Sequence, residues 1–197
     1  MSFVSFEKVS KSFGEKSVLK ELSFSIEKGQ VVCIMGPSGC GKTTVVNLLL
    51  GLIKPDSGII NTPEIVSVVF QEDRLFEEFS ALSNVAAVVP KTESKDKCVA
   101  ILEAMGLGNE LKTPVAKLSG GMQRRVAIAR ALVTEADFFI LDEPFKGLDE
   151  NTKDDVIEFV REYLRGKTIL LITHQTDEAE KLGADMVYME KDGRIKP

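Results

Sequence analysis

The sequence predicts an α/β fold: a mainly parallel sheet with helices on both faces, preceded by a β-ribbon and interrupted by an inserted helical lobe. Three observations carry this. Val31–Met35, Phe138–Leu141 and Ile169–Ile172 are short unbroken apolar runs, as expected of strands covered on both faces. A helical apolar period separates the last two, so strand, helix and strand alternate. From about Glu72 to Lys117 there is no such run, and apolar residues recur at helical spacing instead. With 197 residues, 44% hydrophobic and 28% charged, the chain can bury a full core and does not have a disordered composition.

Taken in order, Val18, Leu22, Phe24 and Ile26 are spaced for one face of a β-ribbon, and Glu27-Lys28-Gly29 turns it into Val31–Met35. A glycine-rich turn follows, then a helical stretch from Lys42 to Leu52, then a strand over Ile65–Phe70. Cys98, Ile101, Leu102 and Met105 make one helix face, ended by Gly106. A further helix is expected over Arg124–Val133. Val156, Phe159, Val160 and Tyr163 repeat at i, i+3, i+4, i+7 and predict a helix with one buried face, closed by Gly166. The α/β core is therefore expected over residues 1–71 and 136–197, with the helical lobe at about 72–135.

Composition narrows the function. Lys and Arg number 25 against 30 Asp and Glu, a net charge of -5 that argues against a protein that wraps nucleic acid. The longest apolar run, Val45–Ile53, is broken by Asn47 and Gly51 and falls short of the roughly 20 residues a membrane-spanning helix needs. The start, MSFVSFEKVSKSFGEK, lacks a basic-then-apolar leader, so a cytoplasmic location is expected. Cys33, Cys40 and Cys98 form no C-x-x-C pair and His174 is the only histidine, so no structural zinc is expected. Cys33 and Cys98 sit among apolar neighbours as core fillers.

Gly36-Pro-Ser-Gly-Cys-Gly-Lys-Thr43 matches G-x-x-x-x-G-K-[ST], a pattern that arises by chance in about 1% of chains this long. Its glycines let successive N–H groups converge on phosphate oxygens, and the following helix adds its positive end. Lys42 is placed to reach the β- and γ-phosphates, and Thr43 to ligate Mg²⁺. Gly36, Pro37, Ser38, Gly39, Cys40, Gly41, Lys42, Thr43 and Thr44 are thus candidate nucleotide contacts. Within this loop Cys40 is expected to be a reactive thiol, because the same N–H groups favour a thiolate.

A second motif, Phe138-Phe-Ile-Leu-Asp142-Glu143-Pro144, sets two acids at the C-terminal edge of a buried strand, where ligands sit in parallel sheets. Asp142 suits Mg²⁺, and Glu143 suits activation of a water. The third, Leu118-Ser119-Gly120-Gly121-Met122-Gln123, leads into a helix and offers a second anion-binding terminus. Arg124, Arg125 and Arg130 follow it and are expected on a solvated or ion-paired helix face.

This order of motifs, with His174 downstream, resembles the ATP-binding subunits of ATP-binding cassette transporters over essentially the whole chain. The resemblance implies a P-loop NTPase (RecA-like) core with an N-terminal antiparallel β-subdomain and an inserted helical subdomain. It implies ATP and Mg²⁺, and two subunits paired head to tail, as a homodimer or a paired cassette, when ATP is bound. Ser119, Gly120, Gly121, Gln123 and Asp149 would then contact the partner's nucleotide. Phe13 matches the aromatic that stacks on adenine, Gln71 the glutamine that touches Mg²⁺, and His174 the histidine at the γ-phosphate. Phe145-Lys146-Gly147 departs from the commoner Phe-Ser-Ala, and Gln175 stands where Asp is frequent. No C-terminal regulatory domain is expected after Pro197.

The family resemblance further implies an ATPase on the cytoplasmic face of a membrane, working through integral membrane permease subunits and, indirectly, a solute-binding protein. Val69-Phe-Gln-Glu-Asp-Arg-Leu75 is similar to importer subunits of the nitrate, sulfonate, taurine and thiamine-precursor group, so import of a small solute is expected. Efflux or lipid handling is the alternative. A non-transport ATPase acting on a soluble partner is a further one, although Lys42 and Leu118 are only 76 positions apart, too few for the coiled-coil insertions of DNA-repair relatives.

Overall fold

Strands β1 (Val4–Phe13) and β2 (Lys16–Ile26) pair antiparallel in a computed structural model that describes residues 2–90 and 95–196. Residues 1, 91–94 and 197 of the expected core and lobe lie outside the described residues. The ribbon departs from simple alternation. Its register steps from Val9↔Leu22 to Lys11↔Leu19, so β2 holds one extra residue, and Glu21 adopts φ 48. That bulge turns Leu19 (fully buried), rather than the expected Val18, onto the same buried face as Leu22 and Ile26.

The chain continues through β3 (Val31–Met35), α1 (Lys42–Leu49), β4 (Ser57–Asn61) and β5 (Val66–Val69). It then forms α2 (Ala81–Ala86), α3 (Asp96–Ala104) and α4 (Gly120–Leu132), followed by β6 (Phe138–Asp142), α5 (Glu150–Tyr163), β7 (Thr168–Ile172), α6 (Thr176–Lys181), β8 (Asp185–Met189) and β9 (Ile195–Lys196). β4 joins β1 to give a three-stranded antiparallel sheet, β2-β1-β4. The second sheet runs β5-β6-β7-β3-β8-β9, with β3 parallel to β7 and β8, and β9 antiparallel at the edge. The expected parallel α/β sheet and N-terminal antiparallel ribbon are both present.

Contacts divide the chain into two units. The first comprises Met1–Val66, Asp137–Ile140 and Gly166–Pro197, and the second Ser67–Ala136 and Leu141–Arg165. In the first, Cys33, Ile34, Leu170 and Leu171 are fully buried, the isoleucine and leucines contributing about 1.5–3 kcal/mol each. The turn before β3 is latched to β7: Gly29 N–H donates to Thr168 Oγ1 at 2.9 Å and Ile169 N–H to the Gln30 carbonyl at 3.0 Å. Helix α1 stops at Leu49, short of the expected Leu52. Gly51 (φ 65) and Leu52 donate back to the carbonyls of Leu48 and Asn47, a left-handed stop that satisfies the last carbonyls.

In the second unit α3 buries Cys98, Ile101, Leu102 and Met105 as expected, ending before Gly106 (φ 70). α4 begins four residues earlier than the expected Arg124, because Ser119 caps it by accepting from the Met122 N–H. In α5 the buried stripe is Val156, Ile157, Val160 and the following Leu164. Tyr163, expected on that face, is exposed and meets Phe159 in a tilted ring pair with centroids 5.6 Å apart. A phenol keeps its hydroxyl wet more easily than an aliphatic chain does.

Candidate functional site

The first unit holds the glycine-rich loop. Gly36–Gly41 joins the end of β3 to α1, and the backbone is left-handed at Gly39 (φ 78) and Gly41 (φ 114). A Cβ on Gly36 would stand 2.3 Å from the Met189 carbonyl oxygen, and one on Gly41 would stand 2.9 Å from Leu19 Cδ2. Two walls of the first unit therefore mould the loop. Behind one of them, in the β8–β9 turn, a Cβ on Gly193 (φ 76) would lie only 2.0 Å from the Val18 carbonyl.

Lys42 is 9% exposed, and its ammonium donates to the carbonyls of Gly36 at 2.7 Å and Pro37 at 3.1 Å, with Cys40 Sγ at 3.9 Å. The cation is thus carried back over the loop's own carbonyls. Ser38 and Thr43 are exposed, Pro37 and Thr44 half-buried. Cys40 is only 1% exposed, which overturns the expected reactive thiol: the sulfur packs inward beside Gly36 instead of facing solvent. Cys33 and Cys98 are fully buried, as core fillers should be.

Phe13, at the end of β1, is 51% exposed with Lys11 Nζ 5.6 Å from its ring centroid, so it is no core aromatic. His174 is exposed just beyond β7. Its neighbour Thr173 is buried and donates to Glu178 Oε2 at 2.6 Å, and Gln175 N–H donates to Thr173 Oγ1 at 3.1 Å. The turn that carries the histidine is therefore tied to α6.

The second unit holds the other candidates. Asp142 ends β6 and is 6% exposed, while Glu143 is half-buried in a left-handed conformation with φ 48. An L-residue pays about 1–2 kcal/mol for that conformation, so neighbouring bonds must hold it. They come from a residue that sequence reasoning left on a helix face, without a role in the site. Arg124 is 3% exposed, and its guanidinium donates to the carbonyls of Asp142 (3.1 Å), Glu143 (2.7 Å) and Pro144 (2.7 Å). It also donates to the Phe70 carbonyl (2.7 Å) and to Asp73 Oδ1 (2.7 Å). Of the two expectations for Arg124, the ion pair is present and the solvated face is wrong: carbonyls and one carboxylate replace water around the buried cation. Arg125 and Arg130 are partly buried too, Arg125 donating to the Met105 carbonyl and Arg130 to those of Asp73 and Arg74.

Gln71 is exposed, beyond β5 and between Phe70 and Asp73. Ser119, Gly120 and Gly121 open α4, with Ser119 and Gly120 exposed. Gln123 has partners in its own chain. Its amide donates to the carbonyls of Val115 (3.1 Å) and Leu118 (3.0 Å), holding the approach to that helix start. Asp149 caps α5 by accepting from the Thr152 N–H at 3.1 Å, and hydrogen bonds from Thr152 hold its carboxyl below the ordinary aspartate range. Among the described residues no group of three or more His, Cys, Asp and Glu could hold a metal ion. The candidate donors, Thr43, Gln71 and Asp142, are all oxygen ligands. That fits a hard Mg²⁺ ion whose remaining ligands are phosphate and water.

Residues 19–146 match the family described as ABC transporter. The chain is 37% identical to the taurine import ATP-binding protein TauB of Pseudomonas aeruginosa, over 96% of this chain and 80% of that protein. It is 40% identical to the Fe(3+) ions import ATP-binding protein FbpC of Rhizobium etli, over 98% of this chain but only 59% of that protein. It is 38% identical to the aliphatic sulfonates import ATP-binding protein SsuB 3 of Rhodococcus jostii, over 96% and 72%. Among solved structures, a dimeric ATP-binding cassette in a post-hydrolysis state with ADP and Pi aligns with a TM-score of 0.87 at 28% identity, covering 98% and 97% of the two chains. An ATP-bound bacterial Atm1-family exporter aligns with a TM-score of 0.88 at 25% identity, over 98% of this chain and 38% of that one.

Proposed function

We infer, for a chain that belongs to the ABC transporter family and is an ATPase of that family, that it drives import of a small solute through separate membrane permease subunits. The observation that carries the nucleotide part is the loop Gly36–Thr43, moulded at Gly36 and Gly41 and carrying the Lys42 ammonium over its own carbonyls. The import part rests on the relatives named for import of taurine, aliphatic sulfonates and Fe(3+). Two of these cargoes are sulfonates and the third is a metal cation, yet the identities are alike, which fits a cassette that does not read the cargo and leaves that to the permease and a solute-binding protein. Among the described residues no helix is long and apolar enough to cross a membrane, consistent with a peripheral subunit at the cytoplasmic face.

In this reading Phe13 stacks on adenine, and the N–H groups of Gly39, Gly41, Lys42, Thr43 and Thr44 cradle the phosphates with Ser38. Lys42 turns its ammonium to the β- and γ-phosphate oxygens. Thr43, Gln71 and Asp142 would hold Mg²⁺, which neutralises charge on those oxygens. Glu143 accepts a proton from the attacking water, and His174 donates toward the γ-phosphate. A second copy supplies Ser119, Gly120, Gly121, Gln123 and Asp149, so ATP closes a homodimer or a paired cassette.

The test is Glu143→Gln. Turnover falls by about 10²–10⁴ while ATP binding persists, and light scattering finds a dimer with ATP that Ser119→Arg abolishes. Wild-type turnover in Glu143→Gln removes the base, and a dimer indifferent to both ATP and Ser119→Arg removes the paired cassette. The fold is equally at home in an exporter. Direction is therefore tested in vesicles carrying the permease: ATPase activity that rises with a cognate solute-binding protein supports import, and activity that ignores it supports efflux.

A further inference from the structure

We propose that Arg124 is a positioning residue for hydrolysis, one guanidinium that sets the backbone carrying Glu143 and the segment that follows Gln71 in a single arrangement. This rests on the reading of Glu143 as the general base. A guanidinium has five N–H donors in a rigid planar fork. Here all five are used: Nε on Pro144 O, Nη1 on Phe70 O and Asp73 Oδ1, Nη2 on Asp142 O and Glu143 O.

The acceptors fall in two segments of chain, and each segment carries a candidate site residue. Asp142, Glu143 and Pro144 turn three successive carbonyls toward one cation, in a backbone that is left-handed at Glu143. Phe70 and Asp73 bracket Gln71, and Asp73 supplies the compensating charge at 2.7 Å. The Arg124 side chain is 4% exposed and that of Asp73 27%, so solvent cannot take the place of either set of bonds. Arg130 adds bonds to the carbonyls of Asp73 and Arg74, which fixes the far end of the same segment. A movement of the Gln71 segment therefore either carries the guanidinium with it or breaks bonds that hold the Glu143 turn. Lysine offers three donors from one nitrogen and cannot span both segments.

The experiment compares Arg124→Lys, Glu143→Gln and the double variant, using the full chain with MgATP and measuring kcat, KM, equilibrium ATP binding and thermal melting. Arg124→Lys should melt cooperatively and bind ATP within about threefold of wild type, with KM little changed and kcat down about tenfold or more. On the Glu143→Gln background the same substitution should lower residual turnover no further, because a positioning residue acts through the base. A wild-type kcat in Arg124→Lys, or a kcat loss repeated in full on the Glu143→Gln background, overturns the proposal. If Arg124→Lys does not fold, Asp73→Asn keeps the guanidinium and removes its counter-charge. It should lower kcat several-fold at constant KM, and an unchanged kcat is again fatal. Glu143→Gln with full activity sinks the base and this proposal together; an impaired Glu143→Gln beside an unimpaired Arg124→Lys sinks this proposal alone.

Discussion

Glu143 and Cys40 show how far the backbone at one residue governs chemistry. Glu143 sits at φ 48, where glycine is at ease and alanine is not. Both Glu143→Gly and Glu143→Ala remove the carboxylate and should lose hydrolysis. The glycine variant should nevertheless melt higher, by the equivalent of about 1 kcal/mol, since it is spared the left-handed penalty; equal melting temperatures would mean the turn relaxes. Cys40 lies inside a loop that a bare motif match makes look reactive, yet the structure buries it along with Cys33 and Cys98. Intact-mass measurement after brief maleimide exposure should therefore find the native protein unlabelled and the unfolded chain labelled three times. Rapid single labelling at Cys40 would contradict its burial.

At the scale of elements, α5 separates apolar from buried. Its interior stripe includes Ile157, whereas Tyr163 is outside it. Ile157→Ala should cost about 2–5 kcal/mol in denaturant unfolding, and Tyr163→Ala under about 1 kcal/mol. Reversed costs would restore the face that the i, i+3, i+4, i+7 spacing predicts. β3, β6 and β7 were legible because strands buried on both faces leave unbroken apolar runs. β8 leaves none: Asp185, Met186 and Tyr188 are exposed, so its apolar content does not announce a strand. The bulge in β2 was illegible for another reason, since nothing in Lys20-Glu21 marks an extra residue until β1 is laid beside it. The phosphate loop and the two acids could be read because their residue types and spacing are the chemistry. Arg124 could not, because four of its five acceptors are main-chain carbonyls and an amino-acid letter does not say where a carbonyl points.

For the molecule as a whole, acid should weaken the fold through carboxylates that are paired in the folded state. Asp56 is held below the ordinary aspartate range by hydrogen bonds from Lys11 and the Ser12 N–H, and Asp137 by its bond from Lys167. With folded values depressed, the unfolded chain binds more protons at these sites. Their contribution is complete above the unfolded value near pH 4 and fades as pH falls through the folded one. Wild type should thus melt above Asp56→Asn/Asp137→Asn at pH 6, with the gap narrowing as pH falls below about 4; a gap independent of pH would show that charge is not its source. The close approach at Gly193 bears on how this protein can be handled. The turn joining β8 and β9 looks like a natural place to graft an epitope or insert a reporter, being short and polar. Yet any side chain at Gly193 drives into Val18, and Val18 and Leu19 are the wall against which Gly41 is fitted. A label placed there would be transmitted to the phosphate loop as a loss of nucleotide affinity, some 150 residues away along the chain and touching no nucleotide at all.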